Sequence, residues 1–159
     1  MKTINDLLSE YSQHHQNPTN KSIHWICVPL IMFSSLGILY SFGFPHWATD
    51  LFPLFSYAFM LVLFSFGYYF LKSFPISIGM LIIGVLMLWV QDIIVKQIGY
   101  RDLFILNAVI FVIAWIGQTI GHRIEGKKPS FMKDLQFLLI GPAWLLGNIY
   151  KKWHMNLDV

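Results

Sequence analysis

The chain has 159 residues, of which 56% are hydrophobic and only 12% are charged, whereas soluble domains carry about 25% charged residues. This composition excludes an ordinary soluble domain and indicates an integral membrane protein. The net charge is +3, but the basic residues follow the ends of the apolar segments instead of forming one stripe, so we predict no nucleic-acid site. The single cysteine, Cys27, excludes an internal disulfide framework. The polar N-terminal segment lacks the apolar core of a secretory signal.

The N-terminal residues predict a short amphipathic helix over 3–15. Its apolar residues recur every three or four positions and share one helical face. These residues are Ile4, Leu7, Leu8 and Tyr11. A helix of this kind is expected to lie along the membrane interface. Asn17-Pro18 then predicts a break and a new helix, with Asn17 as the N-cap and Pro18 in the first turn.

Four long segments without a charged residue follow. They contain 28, 21, 19 and 20 residues, and about 20 apolar residues in a helix cross the hydrocarbon core of a bilayer. We therefore predict an all-α, polytopic transmembrane helix bundle with four spans. The spans are residues 23–42, 51–71, 76–95 and 103–121. After the fourth span, Gly126 can adopt a left-handed helix cap, and Pro129 prevents the helix from continuing.

A fifth charge-free segment, residues 135–150, contains only 16 residues. As a helix it would be about 24 Å long, and the Gly141-Pro142 pair at its middle is expected to kink it. We therefore predict a short re-entrant helical segment or a helical hairpin instead of a fifth crossing. The whole chain, 1–159, is then a single membrane domain.

The charges between the apolar segments predict the orientation. Seven basic residues lie on the side that holds the N-terminus: Lys2, Lys21, Lys72, Arg123, Lys127, Lys128 and Lys133. Only Lys96 and Arg101 lie on the opposite side. The positive-inside rule places the seven on the cytoplasmic face, together with both termini. The sequence does not distinguish a bacterial inner membrane from the endoplasmic reticulum, and it leaves homo-oligomer formation open.

Three histidines are predicted to meet at this cytoplasmic face. His24 begins the first span and His122 ends the fourth, and an even number of crossings between them places both at the same side. His15 precedes the break before the first span and lies on that side too. Imidazoles in an enclosed site are common transition-metal ligands. The donor set suits Fe(II) and Zn(II) alike.

A polar stripe on the fourth span supports a functional site at the same place. Gln118, His122 and Glu125 follow each other at intervals of four and three residues, so they share one helical face. Polar residues in a span face the bundle interior or a wet cavity and are often functional. Gly117 and Gly121 form a small-xxx-small pair, which allows another helix to approach closely. The alternative is a stripe that only holds helices together.

Two motifs flank the predicted bundle. The first, Y-x3-H-x-N-P-x-N-x3-H-x4-P, comprises Tyr11, His15, Asn17, Pro18, Asn20, His24 and Pro29. The second, W-x2-Q-x2-G-H followed by E-x3-P, comprises Trp115, Gln118, Gly121, His122, Glu125 and Pro129. Together they resemble the motifs of the membrane-bound 2-hydroxy fatty acid dioxygenases, a fungal and bacterial family that acts in fatty acid α-oxidation.

The resemblance implies a non-haem, Fe(2+)-dependent enzyme in the lipid bilayer. Its substrates would be a 2-hydroxy fatty acid and O2, and its products a fatty acid one carbon shorter, CO2 and water. The resemblance implies His15, His24 and His122 as metal ligands. Glu125 would be a fourth ligand or a hydrogen-bond acceptor for a ligand's other ring nitrogen. The residues that would orient the imidazoles or the substrate are Asn20, Gln118 and Tyr11.

Three other readings remain open from the sequence. A di-iron fatty acid hydroxylase or desaturase has a similar hydropathy, but the chain lacks the His-x2-His-His clusters of those enzymes. A non-catalytic scaffold or a small transporter would use the histidines for a structural metal or for none. Another metal-dependent lipid-modifying enzyme would share both the spans and the ligands.

Overall fold

The computed structural model describes residues 3–13, 15–45, 49–126, 131–154 and 157, with the backbone alone at 131–138. Within these ranges every regular element is a helix, which confirms the predicted all-α class. The helices are α1 (Ile4–Gln13), α2 (Pro18–Tyr40), α3 (Tyr57–Phe70), α4 (Phe74–Ile124) and α5 (Phe131–Lys152). The loop cations Lys2, Lys127 and Lys128 and the stop residue Pro129 lie outside the described residues.

The predicted N-terminal helix is confirmed, but its apolar face contacts protein. The four apolar residues of α1 are all buried, and they belong to a core cluster that includes Trp144 and Leu146 of α5. The Trp144 indole N–H donates a 2.7 Å hydrogen bond to the Ser12 hydroxyl. Since α5 covers this face, the amphipathic pattern reflects packing on a helix and not contact with lipid.

The first turn of α2 has the predicted cap. Asn17 is the N-cap, and its side-chain oxygen accepts from the backbone N–H groups of Thr19 at 2.9 Å and Asn20 at 3.4 Å. Pro18 lies in the first turn, where no intrahelical donor is lost. The cap fixes the start of α2 and therefore the position of His24, which lies two turns further along the helix.

Helix α3 is shorter than the predicted second span. It begins at Tyr57 and not near residue 51, because Ser56 is the N-cap and its hydroxyl accepts from the Phe59 N–H at 3.1 Å. Residues 51–56 form turns and a bend around Pro53. The 14 residues of α3 extend about 21 Å, which is less than the hydrocarbon thickness of about 30 Å.

Helix α4 contains the predicted third and fourth spans as two arms that meet at Gly99. Gly99 has φ 79° and ψ 168°, outside the helical region. The side-chain amides of Gln91 and Asn107 exchange two hydrogen bonds of 3.1 Å, although 16 residues of straight helix would separate them by about 24 Å. The arms therefore fold back on each other, with Gly99 midway between the two amides.

Helix α5 is one continuous helix of 22 residues with Pro142 inside it. The helical hairpin that the Gly141-Pro142 pair allowed is therefore wrong, and whether the segment is re-entrant stays a prediction. The Tyr69 hydroxyl donates to the Leu139 carbonyl, in the turn that precedes the proline. A proline removes one backbone hydrogen bond from a helix, and this contact ties the affected turn to α3.

Two of the described helices, α2 and α4, are long and apolar enough to cross a membrane. Their outward faces carry large exposed apolar side chains, for example Ile26, Trp89 and Ile113. Inside the bundle, α2, α3 and α4 share a second core cluster, which we call the distal core. Its buried residues are Leu36, Tyr40, Ala58, Val62, Leu88, Val95 and Leu103.

Candidate metal centre and adjoining cavity

The Nε2 atoms of His15 and His24 face each other. The Nδ1 of His15 lies 2.8 Å from the Tyr11 carbonyl, and the Nδ1 of His24 lies 2.9 Å from the Asn20 carbonyl. A carbonyl only accepts, so each Nδ1 carries the proton and each neutral ring presents a lone pair at Nε2. The two Nε2 atoms are 3.1 Å apart, and both rings are buried.

This arrangement fits a bound cation. Two lone pairs facing each other at 3.1 Å repel unless a proton or a metal ion lies between them. Nitrogens bound about 2.1 Å from one ion lie roughly 3.0 to 3.4 Å apart when the bonds meet at about a right or a tetrahedral angle. The observed Nε2 separation is within that range. The backbone carbonyls fix the tautomer that a metal site requires.

His122 completes the cluster from the end of α4. Its ring centre lies 5.1 Å from that of His24 and 5.5 Å from that of His15, and the available ligand atoms of the three residues lie within 4.8 Å of one another. The structure thus brings together three residues that are up to 107 positions apart. No other cluster of this kind was found in the described residues.

Glu125 contacts the start of α2 instead of joining the histidines. Its carboxylate accepts from the backbone N–H groups of Gln16 at 2.7 Å and Asn17 at 3.1 Å, and from the Asn20 side-chain amide at 2.9 Å. The first N–H groups of a helix are unpaired and attract negative charge. Glu125 therefore joins the end of α4 to the N-terminal turn of α2, which precedes His24.

The surroundings of Glu125 favour its charged form. Burial by itself raises the pKa of the carboxyl, but the Asn20 amide and the two backbone donors outweigh that effect. The pKa therefore lies below its usual value. The carboxylate stays charged at neutral pH and keeps all its acceptor capacity for these donors.

The Asn20 side chain lies against a glycine of α4. A Cβ at Gly121 would be 2.4 Å from the Asn20 Oδ1, and one at Gly117 would be 2.6 Å from the Cys27 sulfur. The predicted close approach at the glycine pair is confirmed. Because a carboxylate only accepts, the Asn20 NH2 group must face Glu125, which leaves the buried Oδ1 without a hydrogen-bond partner.

A mainly apolar cavity of about 170 Å³ opens beside the histidines. His15, His122 and Gln118 line its polar part, and most of the remaining lining residues belong to α2, α3 and the first arm of α4. The Gln118 Oε1 is buried and has no hydrogen-bond partner. An acceptor of this kind at the polar end can receive a hydroxyl group of a molecule in the cavity.

Tyr11 supports His15 in two ways. Its carbonyl accepts from the imidazole, and its ring stacks on the imidazole with 4.0 Å between ring centres and an interplanar angle of 15°. The Trp144 ring lies 5.3 Å from the Tyr11 ring. Gly141 of α5 also faces Tyr11, since a Cβ there would lie at van der Waals distance, 3.4 Å, from the Tyr11 hydroxyl.

The sequence did not identify Trp144 or the lining of the cavity. Trp144 lies in an apolar helix like many other aromatic residues of the chain, so no pattern marks it. The Gln91–Asn107 pair was also missed, although a signal was present. Each is a lone amide in an apolar segment, and the two are equally distant from Gly99.

Comparisons with known proteins agree with the motifs. The profile of the family described as 2-hydroxy-palmitic acid dioxygenase Mpo1-like matches residues 1–153. A curated relative, 2-hydroxy-palmitic acid dioxygenase MPO1 of Saccharomyces cerevisiae (strain ATCC 204508 / S288c), is 33% identical over 143 residues, covering 87% of this chain and 75% of the yeast protein. No solved structure matches the chain significantly.

Proposed function

The chain belongs to the 2-hydroxy-palmitic acid dioxygenase Mpo1-like family, and we propose that it is an Fe(II)-dependent dioxygenase of 2-hydroxy fatty acids. The reaction combines a 2-hydroxy fatty acid with O2 and yields the fatty acid one carbon shorter, CO2 and water. The C1–C2 bond breaks, and the substrate supplies all four electrons that reduce O2. No external reductant is needed.

The observation that carries this proposal is that two of the three clustered histidines, His15 and His122, line a mainly apolar cavity. A 2-hydroxy fatty acid has a small polar head with a carboxylate and a hydroxyl group, followed by a long apolar tail. The polar end of the cavity offers His15, His122 and Gln118, and the remainder offers mostly apolar side chains. The cavity therefore matches the two parts of the substrate.

Iron held by His15, His24 and His122 would supply a Lewis acid and an electron relay between the 2-hydroxy acid and O2. The protein's own groups orient and protect this centre. The Tyr11 and Asn20 carbonyls hold the protons on Nδ1 of His15 and His24. The Gln118 Oε1 accepts the hydrogen of the substrate's 2-hydroxyl group. The apolar walls exclude water from the head group.

Glu125 has a positioning role in this proposal. Both of its oxygens bind donors at the start of α2, so the carboxylate acts on His24 through Asn20 and does not bind iron. Asn20 connects the two, because its side chain binds Glu125 while its carbonyl accepts from His24. We therefore propose the supporting role, which is one of the two that the sequence left open for Glu125.

The proposal includes a membrane location with four crossings. The large apolar side chains exposed on α2, α3 and both arms of α4, such as Ile26, Phe64, Ile82 and Ile113, would face lipid. The four crossings would be α2, α3 and the two arms of α4. Because α3 is shorter than the hydrocarbon core, the irregular residues before it would complete its crossing. The histidine centre and both termini would face the cytoplasm.

The test is turnover by purified protein in detergent or nanodiscs. Metal analysis before and after loading with Fe(II) gives the iron content. Iron-loaded protein is then supplied with 2-hydroxyhexadecanoic acid, and O2 consumption, CO2 release and the product acid are measured together. We expect equal amounts of O2 consumed, CO2 released and pentadecanoic acid formed, with no added reductant.

Two outcomes would contradict the proposal. Absence of O2 consumption by fully iron-loaded, folded protein would exclude the reaction. A hydroxylated or desaturated product whose formation depends on an external reductant would favour another metal-dependent lipid-modifying enzyme. Zn(II)-loaded protein is the matched control, because it has the same ligands but cannot relay electrons.

A further inference from the structure

We propose that Leu36, Val62 and Gly84 form the floor of the cavity and set the longest acyl chain that the site accepts. The proposal rests on the function above, since it assigns the tail of the 2-hydroxy fatty acid to the apolar part of the cavity. All three residues line the cavity. They come from α2, α3 and the first arm of α4, so three separate helices meet at this point.

Helix geometry places these residues at the end opposite the histidines. Leu36 lies 12 positions after His24 on α2, which corresponds to about 18 Å along the helix. On α3, Tyr69 lies towards the α5 side of the cavity, because its hydroxyl donates to the carbonyl of Leu139, which lines the same cavity as His15. Val62 lies seven positions before Tyr69, about 10 Å deeper.

The floor is closed by close packing. A Cβ at Gly84 would lie 2.9 and 3.0 Å from the two methyl groups of Val62, so the absent side chain lets α4 approach α3 at this level. Beyond the floor, Leu36 and Val62 belong to the distal core. A tail that reaches this level therefore meets the packed side chains of the distal core.

The depth gives an expected chain length. A zigzag of bonds of about 1.52 Å at angles of about 111° advances roughly 1.25 Å per carbon. The rise of about 18 Å along α2 sets an upper bound of about 14 carbons beyond the two that carry the carboxylate and the hydroxyl. Each methylene that enters an apolar site contributes about 0.8 kcal/mol, a factor of about four in affinity. Affinity should rise with length up to the floor and then stop rising or fall.

Val62→Ala and Leu36→Ala provide the test, with Val95→Ala as the control. Val62→Ala and Leu36→Ala, which we call the opening variants, each remove methyl groups from the floor. Val95→Ala removes the same two methyl groups as Val62→Ala from the same distal core, but Val95 does not line the cavity. A series of saturated 2-hydroxy acids from dodecanoic to eicosanoic acid is assayed by competition with a fluorescent fatty acid and by kcat/KM, at fixed detergent composition.

For the wild type we expect the rise in affinity to end at or below about 16 carbons in total. Val62→Ala should move that limit by about two carbons towards longer acids, and Leu36→Ala should move it in the same direction. The Val95→Ala profile should match the wild type. If both opening variants, shown to be folded by thermal unfolding, keep the wild-type limit, the floor assignment is overturned.

The binding and turnover readouts separate this proposal from the proposed function. A length limit that shifts in the binding assay without any turnover would contradict the dioxygenase assignment and support the floor. Turnover by the wild type, with a chain-length limit that neither opening variant changes, would support the dioxygenase assignment and contradict the floor. A wild-type affinity that rises without limit across the series would also contradict the floor.

Discussion

Asn20 is the residue through which the carboxylate of one helix reaches the imidazole of another. It is fully buried, its side chain donates to Glu125, and its carbonyl accepts from His24. A displacement of Asn20 would therefore move a proposed ligand and a helix cap together. This linkage explains why the first motif contains both an asparagine and a histidine one helical turn later.

The ligand assignment predicts the metal content of single variants. His15→Ala, His24→Ala and His122→Ala should each lose most of the bound iron while the protein stays folded in detergent, because each removes one of three donors. His154→Ala should keep its iron, since His154 is exposed near the C-terminus and outside the cluster. Metal analysis after gel filtration measures the effect. Full iron content in the His122 variant would show that the assignment is wrong.

Glu125→Gln tests support against direct ligation. Loss of a residue that only orients a ligand typically costs about 10- to 100-fold in metal affinity or activity, whereas loss of a bound carboxylate should nearly empty the site. Since the Glu125 carboxylate accepts from Gln16, Asn17 and Asn20 in the structure, we expect measurable iron and slowed turnover. An iron-free, inactive but folded variant would show that Glu125 binds the metal.

The lowered pKa of Glu125 predicts a pH dependence of stability. A carboxyl whose folded-state pKa is depressed contributes stability above its unfolded pKa of about 4.3, and loses that contribution as the pH falls through the lower folded value. The melting-temperature difference between wild type and Glu125→Gln should thus be constant above about pH 5 and shrink in more acidic solution. Asp102→Asn, at an exposed carboxylate, is the control. A difference that does not change with acid pH would contradict the charged contact.

At the scale of elements, the glycine pair on α4 gives a sharp prediction. Gly121→Ala would place a methyl group 2.4 Å from the Asn20 Oδ1, and overpacking typically costs about 1–3 kcal/mol. We expect a lower melting temperature and weaker iron binding. Gly67→Ala on α3 is the control, because nothing lies within 4 Å of its Cβ position. It should be neutral or stabilising by up to about 1 kcal/mol. Equal effects of the two changes would contradict the close approach.

The sequence predicted which segments are helical better than it predicted where each helix ends or which helix packs against it. The cap at Asn17 was predicted correctly because its hydrogen bonds are local and involve few residues. The start of α3 was missed because hydropathy does not sense the serine cap at Ser56 or the turns around Pro53. The apolar face of α1 was assigned to lipid because sequence periodicity cannot distinguish lipid from another helix such as α5.

The site was predictable in part for a similar reason. Histidines and a polar stripe are rare in apolar segments, so His24, His122 and Gln118 stand out, and counting the crossings placed the histidines together. The floor of the cavity was not predictable, because Val62 and Gly84 are ordinary residues of a span. Only the distance between α3 and α4 shows that they meet.

At the scale of the whole molecule, the two separate cores relate the fold to the proposed function, because the cavity lies between them. One core joins α1 and α5 around Trp144 at the histidine end, and the distal core closes the opposite end around Leu88. The cavity lies between them and includes residues of both, such as Tyr11 and Val62. In the proposed function, the acyl tail would lie between these two packed regions.

The orientation of the molecule in the membrane is the last prediction. Seven basic residues against two predict that the N-terminal side faces the cytoplasm. One of the two opposing cations, Lys96, is paired with Asp92 at 2.5 Å. Single cysteines at positions 46 and 127, in a Cys27→Ala background, should be labelled from opposite sides, with position 127 reached only from the cytoplasm. A reporter fused after Val159 should read cytoplasmic, because α5 is not expected to cross.

Each result has a separate meaning for the topology. Labelling of both cysteines from one side would exclude the four-crossing arrangement, and with it the argument that placed the histidines at one face by counting. A reporter signal from the far side, with the two cysteines labelled as expected, would instead show that α5 crosses. A cysteine at position 154 gives an independent check, since His154 is exposed after the end of α5. It should share the accessibility of position 127 if α5 stays on the cytoplasmic side.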